Sequence, residues 1–261
     1  MLTVSPAAAK DTLYVSPGNL RYGVRGPAEA RVLDKRCYVI AYCDSWRIPF
    51  WAGYYLNRDS LFGSQKRHDK FFQPDRAVPR QFRAIKADYR NSGYDRGHMA
   101  PAADFKRRLS TYVTTFLLSN MSPQRDSANR RVCAGIEEYV RGVVERNGEA
   151  WVVVGNTFLK PGFAHWTATE QDSWIGRPGK RVRQKLVAVP SHLFRAILAR
   201  DRVGHWHAYA WLVPNTSRLP KSWRTADYRL SVDSLEKLTG WDFFPQLDSV
   251  TQTRIEAEKP R

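Results

Sequence analysis

The run Gly93-Tyr94-Asp95-Arg96-Gly97-His98-Met99-Ala100-Pro101-Ala102-Ala103-Asp104 places one histidine, one arginine and two acids in a short, turn-prone stretch. Imidazole can take or give a proton near neutral pH, and guanidinium is a permanent planar charge matched to phosphate oxygens. A base two residues from such a cation is chemistry suited to a phosphate. Gly97 between them permits close backbone approach. Asp95 is a neighbour that can pair with Arg96, so the arginine either holds a phosphate or buttresses the loop through that pair.

Further blocks extend the pattern in both directions. Downstream lie Ser119-Asn120-Met121-Ser122-Pro123-Gln124, then Asn129 and Ile136-Glu137. Upstream lie Ile48-Pro49-Phe50-Trp51 and Phe72-Gln73-Pro74-Asp75 with Pro79 and Phe82. Later come Val189 to Arg195, Val213-Pro214-Asn215, and Ser231 to Phe244. In this order they resemble the DNA/RNA non-specific endonucleases, the ββα-metal family whose Asp-Arg-Gly-His signature would be Asp95 to His98. The resemblance covers Leu33 to Leu247. It departs at Cys133, where the family usually carries Trp four residues after its metal-binding Asn, a change expected to alter packing rather than chemistry.

The resemblance implies an α+β fold: a single domain with a mixed or antiparallel sheet core that carries a ββα-metal motif. It sets the domain at residues 33–247, after an N-terminal extension 1–32 and before a polar C-terminal tail 248–261. It implies that His98 is the general base on water, with Arg96 and Glu137 also catalytic. Asn129 would bind the metal, and Arg67, Arg96 and Asn120 would contact nucleic acid. Mg²⁺ is the implied cofactor, with Mn²⁺ as a substitute, and a homodimer the implied assembly. The substrate would be DNA, RNA or both.

Spacing on the helix constrains those roles. Asn129 and Glu137 are eight residues apart, which is ~12 Å along a helix axis. Both can hardly ligate one ion. If Asn129 coordinates through its amide oxygen, Glu137 orients water bound to the ion, an arrangement suited to Mg²⁺, which sheds water reluctantly. A two-metal site would need clustered carboxylates, which this stretch does not supply. The competing reading of Asn129 is a helix N-terminal residue satisfying backbone donors.

Composition points the same way. Forty-two Lys and Arg against 25 Asp and Glu give a formal charge of +17 and a pI near 10.1, an excess that commonly marks a polyanion partner. With 43% hydrophobic residues among 261, the chain can bury a large core, which excludes general disorder. No apolar run is long enough for a membrane span. The opening residues Met1 to Lys10 lack the charged start and long apolar stretch of a secretory signal, so the compartment stays open. The alternatives are a non-catalytic nucleic-acid-binding protein using its basic face alone, and a phosphodiesterase for small nucleotides, which would not need so large a charge. No groove-reading element is evident, so little sequence preference is expected.

These residues need a scaffold to hold them. Apolar, β-prone runs predict strands at Cys37 to Ala41, Pro49 to Leu56, Tyr112 to Leu118, Trp151 to Val154, Lys185 to Val189 and Tyr209 to Val213. Turn clusters fall at Pro161-Gly162, Gly176 to Gly179 and Pro214-Asn215. Val132, Ile136, Tyr139, Val140 and Val143 recur at helical spacing and predict a helix from Ser127 to Arg146. A second helix, Val232 to Leu238, is bracketed by Ser231 as N-cap and Gly240 as C-cap. The tail from Thr251 is expected to fray. Cys37, Cys43 and Cys133 form no metal-ligand spacing, and Cys37 and Cys43 lie too far apart on an extended strand to bridge, so all three read as buried thiols.

Overall fold

The long apolar runs of this chain lack the alternation of a half-solvated strand because consecutive residues face two different covers. In the computed structural model, which describes residues 12–26, 30–159, 174–175 and 187–258, Val152 and Val154 point into one core and Trp151 and Val153 into another. Both faces of the sheet are buried.

In chain order the elements are β1 (Thr12–Ser16), β2 (Leu20–Gly26), β3 (Arg31–Asp34), β4 (Val39–Cys43), β5 (Ile48–Asn57), α1 (Lys86–Tyr89), β6 (Asp95–His98), α2 (Leu109–Thr114), β7 (Met121–Gln124), α3 (Ala134–Asn147) and β8 (Glu149–Thr157). Then follow β9 (Trp174–Ile175), β10 (Val187–Ala188), β11 (His192–Arg200), β12 (Trp206–Pro214), β13 (Arg229–Leu230), α4 (Val232–Thr239), β14 (Asp242–Phe243) and α5 (Ser249–Glu256). The main sheet has seven strands in the order β13-β12-β11-β8-β5-β4-β3, and its pairings are antiparallel. The α+β expectation holds, with an antiparallel sheet.

Helix α3 covers one face through Ile136, Val140, Val143 and Val144, packed with Tyr54, Val152, Ile197 and Trp211. The other face is covered by the β1–β2 hairpin, α4 and α5, whose Tyr14, Leu20, Val24, Leu235 and Ile255 meet Trp51, Val153, Phe194 and Leu198. Residues 12–26, placed by sequence in an extension, therefore complete a core. The tail does not fray at Thr251 either. Asp248 caps α5 through Thr251 N at 2.9 Å, and burial of Ile255 to 1% exposure fixes the helix.

Most predicted elements appear, somewhat longer than read. Ser231 and Gly240 cap α4 as expected, the glycine in the left-handed region at φ 73°. The expected strand Tyr112 to Leu118 is instead the end of α2 and a 3₁₀ turn, Leu118–Asn120. There the Thr114 and Thr115 hydroxyls donate to the Thr111 and Tyr112 carbonyls, each at 2.7 Å, a local bond that competes with strand pairing. The predicted strand Lys185 to Val189 is confined to Val187–Ala188 among the described residues. The turns at 161–162 and 176–179 lie outside them. The three cysteines are free, but of the expected buried thiols only Cys43 is fully buried, Cys37 and Cys133 being part-exposed. Among the described residues no helix is long and apolar enough to cross a membrane.

Candidate active site

A two-stranded ribbon carries the histidine, and a helix delivers the other side chains to it. β6 pairs antiparallel with β7, setting Gly97 opposite Ser122 and His98 opposite Met121. His98 thus sits on a strand rather than in a turn. Gly97 is needed because the Gln124 side chain lies against it: a Cβ there would come within 2.1 Å of Gln124 Cδ. The close approach is to protein, not to a phosphate. From β7 the chain enters a π-turn, Ala128–Cys133, that continues into α3, so Asn129 and Glu137 lie on one helical run, as predicted. Single-turn π geometry within a helix often marks a functional position.

The His98 ring stands edge-on to Phe116, with centroids 4.9 Å apart, and tilts against Phe72 at 5.9 Å. Its Nε2 is shut off from solvent and has no hydrogen-bond partner. Burial, reinforced by Arg67 and Arg96, pushes its pKa down to about 3, so the ring is neutral at physiological pH. Behind it, a cavity of about 20 Å³, room for a single water, is lined by His98, Gln124, Cys133, Glu137 and Arg195. Burial raises the Cys133 thiol to about 12, which keeps it protonated and unreactive. That agrees with a packing role for the departure at this position.

Asn129 and Arg130 both reach Asp95. Asn129 Nδ2 donates to Asp95 Oδ2 at 2.9 Å, and Arg130 makes a fork of 2.8 and 2.6 Å to the two carboxylate oxygens. These donors hold Asp95 below the usual carboxylate range against the opposing effect of burial. Asp95 is therefore not the partner of Arg96. Arg96 pairs with Asp69 at 2.8 Å and stacks over Phe72 at 4.0 Å. Asp69 also takes Lys86 at 2.5 Å.

An open polar basin of about 660 Å³ joins Arg67, Lys86, Arg90, Arg96 and Arg130 to Asp69, Asp95 and Asn129. Five cations thus face two acids, and both acids are already paired. Arg67, over Phe72 at 5.2 Å, forms no ion pair among the described residues. Of the expected nucleic-acid contacts, Arg67 and Arg96 reach this basin, but Asn120 does not. It is fully buried. Its amide accepts from Ala100 N at 3.0 Å and donates to the Ala100 and Thr115 carbonyls at 2.9 and 2.8 Å, so it positions the loop after His98 instead of touching a ligand.

Glu137 is braced from below by Arg195, at 3.3 Å, in the middle of β11. Beside it Arg141 reaches Asp104 at 3.0 Å. Burial raises the Glu137 and Asp104 carboxyls, opposed in each case by the arginines. Asp104, the second acid of the opening motif, is thus a buried counter-charge. Arg195 and Asn215 stood in recognised blocks with no role attached. Asn215 accepts from Arg125 N at 2.7 Å and donates to the Pro123 and Pro190 carbonyls, fixing where the chain leaves β7 for Asn129. Asp75 similarly gathers Lys35 and Ser119, each at 2.6 Å. Such braces give no sequence signal beyond a polar residue beside a motif.

Known proteins resemble this chain over most of its length. The family model described as DNA/RNA non-specific endonuclease matches residues 16–250. The chain is 35% identical to the mitochondrial nuclease EXOG of Mus musculus over 81% of its own length and 56% of the relative's. It therefore spans just over half of that protein. It is 34% identical to nuclease C1 of Cunninghamella echinulata var. echinulata, with 89% of each chain covered. Among solved structures, EndoG in its complex with the inhibitor EndoGI superposes with a TM-score of 0.73 at 27% identity, covering 87% of this chain and 90% of that one.

Proposed function

Because the chain belongs to the DNA/RNA non-specific endonuclease family, we propose that it hydrolyses phosphodiester bonds of DNA, RNA or both, with a divalent cation and little sequence preference. The observation that carries this reading is a neutral His98 whose charged neighbours Arg67 and Arg96 line a basin of five cations and Asn129.

The donor set fits a hydrated Mg²⁺, with Mn²⁺ as a substitute. Asn129 commits its NH₂ to Asp95, which leaves the amide oxygen as a neutral donor, and Glu137 stands further along the helix, its carboxylate oriented by Arg195 to order water. Once bound, the ion would neutralise charge on the phosphate oxygens and the leaving oxygen. His98 would take the proton from the attacking water. Since Nε2 is cut off from solvent, the nitrogen that meets this water is Nδ1, and the resting ring keeps its proton on Nε2. Phe72 and Phe116 hold the ring in that pose. Arg96 is itself held by Asp69, with charge left to share with a phosphate, and Arg67 is the more open clamp. We also infer a homodimer, on family resemblance, which light scattering would test. A plasmid-cleavage assay with divalent ion, and with chelator as control, tests the whole reading. Tight binding without ion-dependent cutting would replace it with the non-catalytic binder.

The low His98 pKa has a kinetic consequence. Protonation removes the base, so activity must fall as pH drops through that pKa. Burial depresses it most, Arg67 and Arg96 add to this in the free protein, and a bound phosphate offsets the arginines' charge. The acid limb of kcat/KM should therefore lie below pH 5, and that of kcat at higher pH. Arg67→Gln should move the kcat/KM limb upward. An acid limb near pH 6.5 that ignores Arg67 would contradict this account of the base.

Phosphate contacts also predict a salt signature. Binding of uncut duplex in chelator should weaken steeply with salt, with a log–log slope of about −0.9 for each phosphate neutralised. Two unrelated sequences should give the same slope and affinity. A shallow slope with strong preference for one duplex would mean base readout.

A further inference from the structure

Three carboxylates meet on the far side of the sheet from His98, where α4 and α5 pack together. Asp233 and Glu236 of α4 and Glu256 of α5 each place an oxygen within 4.8 Å of the other two. Like charges so close cannot all ionise without a counter-ion. Among the described residues none of the three forms an ion pair, although Lys237 and Arg254 lie on the same helices. The nearest salt bridge in this region joins Arg25 to Asp242 instead, at 3.7 Å.

Glu256 makes the arrangement more than an acidic surface patch. It is only 4% exposed, its carboxylate points into the cluster, and its buried Oε1 has no hydrogen-bond partner. Gln252, one turn back on α5, hydrogen-bonds the same carboxylate, so the orphaned oxygen is Oε1 alone. Glu236 is oriented by Phe243 N, which donates to its Oε1 at 2.8 Å, leaving its second oxygen uncommitted there. Burying an unpaired carboxylate costs far more than burying a paired one. A carboxylate so placed must either keep its proton or gain a cation, and three converging carboxylates suit the second.

We propose that Asp233, Glu236 and Glu256 bind a divalent cation, Ca²⁺ by the number of carboxylates, that fastens α5 to α4 and is separate from the catalytic centre. All-oxygen donor sets suit hard cations. Ca²⁺ takes several carboxylates among its oxygen ligands, whereas Mg²⁺ keeps most of its waters and is held by one or two carboxylates, so three converging carboxylates favour Ca²⁺. Burial, with repulsion from Asp242 and Asp233, pushes Glu236 up to about 7, and burial with repulsion from Glu236 pushes Glu256 up to about 8.

The test is thermal unfolding of the full chain, stripped of metal and then titrated with CaCl₂. At a hundredfold excess over Kd, Ca²⁺ should raise Tm by roughly 5–10 °C, and MgCl₂ by less. Glu256→Gln keeps the shape and removes one charge. Without ion it should melt at or above the wild-type temperature, and with Ca²⁺ it should gain little. The double variant Asp233→Asn/Glu236→Gln should behave alike, while Asn129→Ala should keep the full Ca²⁺ response and both cluster variants should keep Mg²⁺-dependent cleavage. The proposal is overturned by an absent Ca²⁺ shift in the wild type, by a shift that survives Glu256→Gln, or by one that Asn129→Ala abolishes. None of these readouts depends on cleavage, so failure of the nuclease reading would leave the test intact.

Discussion

His98→Ala should lower turnover by roughly 10²–10⁴, the usual contribution of a positioned general base, while leaving affinity for uncut DNA within a few-fold of wild type. The two effects separate because the phosphate-binding charge lies elsewhere, on Arg67, Lys86, Arg90, Arg96 and Arg130 around the basin. Stability must be followed in parallel, since the imidazole packs between Phe72 and Phe116 and its removal leaves a cavity. Added imidazole offers the sharper control. A small base admitted to that space should restore part of the rate, whereas a merely loosened ribbon would not respond. Wild-type turnover by the alanine variant would end the assignment of His98 as base.

What could be read in the sequence were the residues whose chemistry is local. His98 and Asn129 stand out because their side chains, their spacing and the helix after Ser127 are near in sequence. The braces were not legible, because each joins residues far apart in the chain. Asp69 holds Arg96 from 27 residues away, and Arg195 supports Glu137 from 58. Asp95 is the instructive case: adjacency made it the natural partner for Arg96, yet neighbouring residues on a strand point to opposite sides. On β6 that alternation turns Asp95 toward Asn129 and Arg130 and Arg96 toward Asp69. The same rule should have warned against Asn120 as a phosphate contact. A polar residue at the entry of a buried strand has backbone groups to satisfy, and Asn120 spends its whole amide on them. The strand expected at Tyr112 to Leu118 failed differently. Its β-prone residues gave the right burial but the wrong backbone, since Tyr112 and Phe116 pack edge-to-face at 5.1 Å across the turn that ends α2.

The two polar residues of the long helix should fail in opposite ways when altered. Asn129→Ala removes the proposed ligand but costs little stability, because Asp95 keeps its fork to Arg130 and the residue is only part-buried. Its cleavage should drop by about 10²-fold or more at low Mg²⁺ and recover in part as Mg²⁺ is raised. Glu137→Gln should lose about 10–100-fold, the cost of an altered outer ligand, with a weaker dependence on ion concentration. Its damage falls on the fold instead. Arg195 is nearly buried, with side-chain exposure of 6%, and one of its guanidinium nitrogens already lacks a partner. Neutralising Glu137 leaves that charge without its nearest carboxylate, a loss of about 3–5 kcal/mol for a buried pair broken on one side. Arg195→Met paired with Glu137→Gln should recover much of the stability and none of the activity, because it removes the stranded charge without returning the carboxylate that orders water. Mg²⁺ titrations of cleavage beside thermal melts of the three variants would resolve the two roles. Equal, metal-independent losses for Asn129→Ala and Glu137→Gln, with equal falls in Tm, would mean that the helix had been damaged as a unit and that neither residue serves an ion.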